Sequence, residues 1–340
     1  MSNAHEHRDN GMLGWVTGRE RTCALVGALT IAFSSILVRL SHASPSTAAI
    51  YRCAYALPIL IALSALERRR FGPRAAPERL ASLTAGVFFA ADLLLWHHSI
   101  GDVGAGLSTV LANVQVVLVP LVAWLLLAER PAAAVLGALP VSLLGVLLIS
   151  GALEQGAYGH NPTRGTIFGL GAGVAYVGFL LLLRRGGADL RRPAGPLCDA
   201  TAVAAVLCTL AGLIIGDAQL VPRWPSAAWL IVLALSSQVV GWLLISTSLP
   251  RLPAALTSIL LTLQPVGSVA LAVIIFAESP SPLQLGGVAL VLGALVIAGR
   301  SRGPAAGPQT GEPRARPGGP APVAPGPETT APGQPITARR

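Results

Sequence analysis

Apolar residues fall in blocks near twenty residues long, separated by short polar or Arg-bearing connections, and the blocks are apolar on every face. The stretch VVLVPLVAWLLLA from Val116 to Ala128 shows this. A helix facing water needs a polar stripe, and a transmembrane strand needs alternation of apolar and polar positions; neither pattern is present. A helix rising 1.5 Å per residue crosses ~30 Å of hydrocarbon in about twenty residues. The pattern therefore predicts ten transmembrane helices, at 22–41, 46–66, 80–98, 104–127, 133–152, 166–184, 197–216, 227–248, 254–277 and 283–299. We number them spans one to ten. The expected fold class is an all-α membrane protein. Span one exceeds the ~7–15 residues of a secretory h-region and leads straight into further spans, so it is read as a span and not a signal.

Composition agrees with this reading. The 340 residues are 53% hydrophobic and 11% charged, against roughly 25% charged in soluble domains, and the mean hydropathy is +0.66. The net charge of +9 does not point to nucleic acid, because the basic residues, all Arg, are sorted by loop. Arg68, Arg69, Arg70, Arg74 and Arg79 lie between spans two and three, and Arg184, Arg185, Arg191 and Arg192 between six and seven. Arg8, Arg19 and Arg21 precede span one, Arg130 and Arg251 follow spans four and eight, and Arg300 and Arg302 follow span ten. Only Arg39, Arg164 and Arg223 fall in or beside the opposite loops. The positive-inside rule then puts both termini in the cytoplasm, and an even number of spans agrees in placing them on one side. The expected localisation is the inner (plasma) membrane, multi-pass. Cys23, Cys53, Cys198 and Cys208 lie in or at the edges of spans without CxxC spacing, so neither a disulfide framework nor a zinc site is indicated.

A shift of 149 residues lays Leu107–Pro131 on Leu256–Pro280 without a gap: Gln115 meets Gln264, Glu129 meets Glu278, Pro131 meets Pro280 and Gly137 meets Gly286. Five spans per half is an odd number, so the second copy enters the membrane inverted. Glu129 is then expected at the cytoplasmic end of span four and Glu278 at the outer end of span nine. Inverted repeats recur in secondary transporters, where substrate sites lie at the interface of the two halves.

The Arg within PSTAAIYRCAYALP (Pro45 to Pro58), the AERP and AESP endings of spans four and nine, and the glycines of spans five and ten give the chain its resemblance to a family. Over about residues 20–300 it resembles the drug/metabolite transporter superfamily, EamA type, with two five-helix repeats. The resemblance implies alternating-access transport, often export, of amino acids, other metabolites or drugs. It divides the chain into a cytoplasmic tail (1–21), a first EamA-like repeat (22–152), a periplasmic linker (153–165), a second repeat (166–300) and a Pro- and Gly-rich cytoplasmic tail (301–340) expected to be disordered. Val116 stands where the second repeat has Pro265, so a helix break there is expected in one half only.

Ionisable groups at membrane depth cost ~2.5–3.5 kcal/mol on insertion scales and need a partner or a wet cavity. Arg52 in span two and Asp92 in span three share a depth. Either Arg52 holds an anionic group of the substrate while Asp92 balances it or carries a coupling proton, or the two form a structural ion pair. Trp96 lies one turn after Asp92, with Phe88 one turn before it, as an aromatic wall; an interfacial belt is the commoner role of such a Trp. His97 and His98 read as interfacial. Asp199, at the start of span seven, reads as a surface partner of Arg191 and Arg192. Asn113, Gln115, Tyr176, Gln238 and Gln264 either line a cavity or hydrogen-bond neighbouring helices. The candidate substrate-binding set is thus Arg52, Asp92, Trp96, Asn113, Gln115, Tyr176, Gln238 and Gln264. Gly169, Gly173, Gly286, Gly287 and Gly293 are expected to let helices approach closely.

An enzyme is not indicated, because the chain has no HExxH and no GxSxG, and its histidines sit at span ends or outside. No cofactor or metal is expected. The expected partners are a small-molecule substrate, the lipid bilayer and, if Asp92 takes that role, a coupling proton, with the chain as a monomer or homodimer. The competing reading is a non-transporting membrane sensor or scaffold.

Overall fold

The computed structural model describes residues 20–127, 132–221, 223–248 and 254–300. Among these residues there are helices and no strands. Six helices are long and apolar enough to cross a membrane: Thr22–Leu40, Pro45–Phe71, Ala76–Val103, Pro162–Gly186, Ala194–Ile215 and Ser226–Ser248. Four apolar helical stretches are shorter: Ala105–Leu118, Ala133–Ile149, Leu263–Phe276 and Pro282–Ala298. In chain order these are the ten apolar segments read from the sequence, and the span numbers are kept as labels. Spans two and three run further than their apolar blocks, because helix propagation adds a backbone hydrogen bond per residue whether or not the side chain is apolar. Span two starts at Pro45, where Ser44 accepts from the Thr47 N–H at 3.4 Å, and ends before Gly72 at φ +79°. A proline at the first helical position and a glycine past the last are what the free backbone groups of helix ends favour.

The way the spans pack carries a two-fold signature. Exchanging each span for its mate in the other half maps the pairing of spans three and six onto eight and one, of three and seven onto eight and two, and of four and six onto nine and one; all six pairings occur. Pairs two–seven, four–nine and five–ten map onto themselves and also occur. Spans five and ten cross at small residues: a Cβ placed at Gly145 would lie 2.7 Å from the Gly287 carbonyl oxygen, and one at Gly287 would lie 2.5 Å from that of Gly145. Their repeat mates at the 149-residue offset, Ala294 and Ala138, are fully buried. Gly286 and Gly293, expected at this contact, face open space, as does Gly137, the mate of Gly286. Gly169 and Gly173 do serve close approach, with span four: their Cβ atoms would fall 2.7 Å from Leu111 Cβ and 3.0 Å from the Ala112 carbonyl oxygen.

Three spans depart from regular α-helix. Span one is interrupted by a turn at Phe33, between Glu20–Ala32 and Ser34–Leu40. Span four breaks between Ala105–Ala112 and Gln115–Leu127. There the N–H groups of Val114 and Val116 bond three residues back, and the Asn113 amide donates to the Thr109 carbonyl at 2.8 Å, an intrahelical back-bond of the kind that bends helices. The break does not fall in the half with the proline: span nine continues as helix Ala254–Phe276 through Pro265, and it is span four, with Val116 at that position, that is interrupted. In span eight, residues Ala234–Gly241 form a π-helical turn, a feature frequent at functional sites.

Large apolar side chains such as Ile214 and Ile274 stand exposed, where lipid would meet them. The two ends of the bundle differ. The basic end gathers Arg68, Arg74, Arg79 and Arg192; the opposite, distal end carries Arg39, His42 and Tyr158.

Candidate functional site

Arg52 sits seven residues into span two, ~10 Å from its distal end, and Asp92 eleven residues before the distal end of span three, ~16 Å from it, at 1.5 Å per residue. Both side chains line a small central cavity of about 70 Å³. Trp96, Asn113, Gln115, Tyr176 and Gln264 line it too, so seven of the eight candidate residues, drawn from spans two, three, four, six and nine, converge on one space. Phe89 and Trp242 complete an aromatic wall with Tyr176: Phe89 and Trp242 meet edge to face at 6.4 Å, and Tyr176 lies 6.0 Å from Trp242.

The eighth candidate, Gln238, does not line the cavity but stands behind it. Fully buried on the π-helical turn, it accepts from Arg52 Nε at 3.0 Å and donates to Thr201 Oγ1 at 3.1 Å. Arg52 Nη1 donates to Ser34 Oγ at 2.8 Å, and its guanidinium lies 5.7 Å from the Trp96 ring. The hydrogen bonds of Arg52 among the described residues thus come from spans one and eight, and its relation to Asp92 is electrostatic, across the cavity, without a direct ion pair. Gln115 lies against the Tyr176 hydroxyl, with its own side-chain oxygen buried and lacking a well-formed hydrogen bond. The site therefore offers a held cation, a carboxylate opposite it, amides and an aromatic wall.

Several expectations are corrected. Trp96 faces the cavity rather than an interfacial belt, because span three runs on to Val103 and leaves it well inside the helix. His97 is 1% exposed, not interfacial, and its Nδ1 meets the Pro45 carbonyl at 3.2 Å. Phe88, 39% exposed, packs on Gly178 of span six, and Phe89 takes the place in the wall, one helical position being a 100° turn. Asp199 pairs with Arg74 of the loop after span two, while Arg191 and Arg192 are taken by Asp189. The Arg191 guanidinium beside Asp189 holds that carboxyl below the usual carboxylate range. Glu129 lies outside the described residues.

By sequence Arg39 is a topological exception and Glu278 only a repeat mate. In the fold they form an ion pair at the distal end, with Glu278 buried and Arg39 half-buried. Arg39 lies in the last turn of span one, so only its pairing with the buried Glu278 sets it apart from an ordinary helix-end arginine.

A helical bundle with apolar surfaces facing outward and charged, amide and aromatic groups turned onto an internal cavity between two similar halves is a polytopic membrane protein with a polar site at its core. The model of the EamA-like transporter family matches twice, over residues 21–151 and 163–300. The chain belongs to the EamA-like transporter family, and is thereby a membrane transporter of small solutes. No curated protein matches it. One crystal structure, described only as that of a protein, superposes on 82% of this chain and 96% of its own with TM-score 0.56 at 17% identity, which shows a shared fold and no more.

Proposed function

We propose that the chain moves a small metabolite bearing a carboxylate, such as an amino acid or a related zwitterion, across the inner membrane by alternating access, in the direction of export. Both termini are cytoplasmic in this reading, with the basic end inside. The observation that carries it is the placement of Arg52 and Asp92 across one cavity, each at membrane depth and neither neutralised by direct contact with the other. A substrate carboxylate would take the guanidinium edge not used by Ser34 and Gln238, its ammonium would face Asp92, and Phe89, Tyr176 and Trp242 would receive the side chain. Small-ligand sites are ~300–1,000 Å³, so the halves must part before a metabolite can enter a space of about 70 Å³. That need is what two similar halves around a shared site can meet.

The test compares metabolite export between a deletion strain and its complemented parent, followed by uptake of the identified compound into vesicles. Arg52→Gln abolishes saturable transport of the carboxylate-bearing substrate. Asp92→Asn that keeps full activity and an unchanged pH dependence removes the proton role. No transported metabolite in either assay returns the chain to a sensor or scaffold.

A further inference from the structure

At the distal end, spans one, four and nine are tied by a single carboxylate. Span nine ends at Phe276, and Ala277, at φ +50°, turns the chain so that Glu278 points back into the bundle, its side chain 1% exposed. Glu278 accepts from the N–H groups of Ala105 at 2.8 Å and Gly106 at 3.3 Å. These are unpaired donors of the first turn of span four, where the helix dipole favours an anion. The same carboxylate pairs with Arg39 of span one, whose guanidinium lies 4.5 Å from the Phe276 ring and donates to the Tyr158 hydroxyl at 3.4 Å. Gly104, at φ +88°, keeps this approach open: a Cβ there would sit 2.7 Å from both Glu278 oxygens. Tyr158 is itself held, because buried Gln284 of span ten accepts from its N–H at 2.9 Å and donates to its carbonyl at 3.1 Å.

Deeper in the bundle, the same three spans are joined again. Ser268 Oγ of span nine shares a hydrogen bond with Ser35 Oγ of span one at 2.6 Å, and lies within hydrogen-bond distance of the Ala105 carbonyl at 3.1 Å and of Thr109 Oγ1 at 3.0 Å in span four. On one side of this double layer is a vestibule of about 610 Å³ lined by Arg39, His42, His97, Asp102, Gly104 and Tyr158. On the other is the central cavity, whose lining begins at Ser34 and Thr109.

We propose that Glu278 is the latch of the distal gate: its bonds to the first turn of span four and to Arg39 hold spans one, four and nine together, and their release opens the vestibule onto the central cavity. The proposal rests on the alternating-access reading, but its main test needs no substrate. The latch is anion against helix terminus as much as ion pair. Swapping the charges of residues 39 and 278 therefore does not restore it, since a cation would then face the Ala105 and Gly106 donors.

The test places a reporter cysteine at Ala112, which lines the central cavity, in the full chain, whose four native cysteines are buried. A membrane-impermeant maleimide is added outside intact cells. Glu278→Ala is expected to raise the labelling rate of the reporter at least tenfold, Glu278→Gln to raise it less, and the Arg39/Glu278 charge swap to leave it high. A labelling rate within twofold of the parent in both Glu278 variants overturns the proposal, as does a charge swap that restores the parent rate. Should the Glu278 variants fail to fold, the Ser35→Cys/Ser268→Cys pair serves instead. Its oxidation is expected to slow reporter labelling and to cut transport at least tenfold, both reversed by reductant. A cross-linked pair in which reporter labelling is unchanged overturns the latch; slowed labelling in a chain that moves no substrate before oxidation supports the latch and refutes the transport reading instead.

Discussion

Gln238→Leu is the substitution whose outcome the site geometry specifies most closely. Leucine has a similar volume, so packing on the π-helical turn is retained while two hydrogen bonds disappear, that from Arg52 Nε at 3.0 Å and that to Thr201 at 3.1 Å. A hydrogen bond to a charged group contributes ~1.5–3 kcal/mol and one between neutral groups in a membrane bundle ~0.6 kcal/mol. If the surroundings stay rigid, the loss is about 2–3.5 kcal/mol. Arg52, 4% exposed, is shielded from bulk solvent, and the carboxyl group across the cavity is the protein partner open to it. If Arg52 swings to Asp92, the stability loss shrinks, but the cation is no longer presented to a substrate. The two outcomes separate in a pair of assays on purified protein, thermal unfolding in detergent and half-saturation of transport for the exported metabolite. We expect a lowered melting temperature and a half-saturation concentration raised at least tenfold, equivalent to ~1.4 kcal/mol. Gln238→Glu is the counter-test: it keeps the acceptor and adds a charge, so the melting temperature holds while half-saturation rises because Arg52 is already neutralised. Wild-type values in both assays for Gln238→Leu would refute the view that this amide positions Arg52.

Other outcomes follow from the same contacts. Gly145→Ala brings a Cβ to 2.7 Å from the Gly287 carbonyl oxygen and 2.8 Å from Val291 Cγ2; overpacking of this kind costs ~1–3 kcal/mol, and thermal unfolding should show it. Gly293→Ala, which meets nothing within 4 Å, should leave stability unchanged or raise it by up to ~1 kcal/mol through helix propensity; equal destabilisation by both would refute the crossing at Gly145. At the basic end the depressed pKa of Asp189 means that its pairing with Arg191 stabilises the fold above the ordinary aspartate range, and that this contribution is lost as pH falls through the folded-state value. The melting-temperature difference between the parent and Asp189→Asn should therefore be small at pH 7 and vanish in acid, and a difference that grows in acid would contradict the sign. Arg74→Ala leaves Asp199 without its partner near the start of span seven and should destabilise more than removal of the exposed Arg69, by the same measurement.

The candidate site is partly legible in the sequence. Arg52 and Asp92 stand out because charge inside hydrocarbon is costly enough to be rare, and Gln115 and Gln264 because the 149-residue offset pairs them. Phe89 does not stand out from Phe88, since a helix apolar on every face gives no phase from which to say which of two neighbours turns inward. Arg39 and Glu278 do not declare themselves a pair because they are 239 positions apart, and no local pattern links the end of span nine to the start of span four.

What the sequence determined by itself is the class of protein. Runs near twenty residues without a polar face can satisfy their backbone hydrogen bonds in lipid only as helices, and a repeat of odd span number follows from counting. What only the tertiary structure decided is which faces meet. In a water-soluble helix the apolar stripe announces the buried side, but lipid is as apolar as the core, so the buried and lipid-facing sides of these spans carry the same residues. The break at Asn113, the π-helical turn that swings Gln238 behind Arg52, and the approach of Glu278 to the first turn of span four are set by close packing and by the need of each buried polar group for a partner, and that accounting closes only when all the spans are in place.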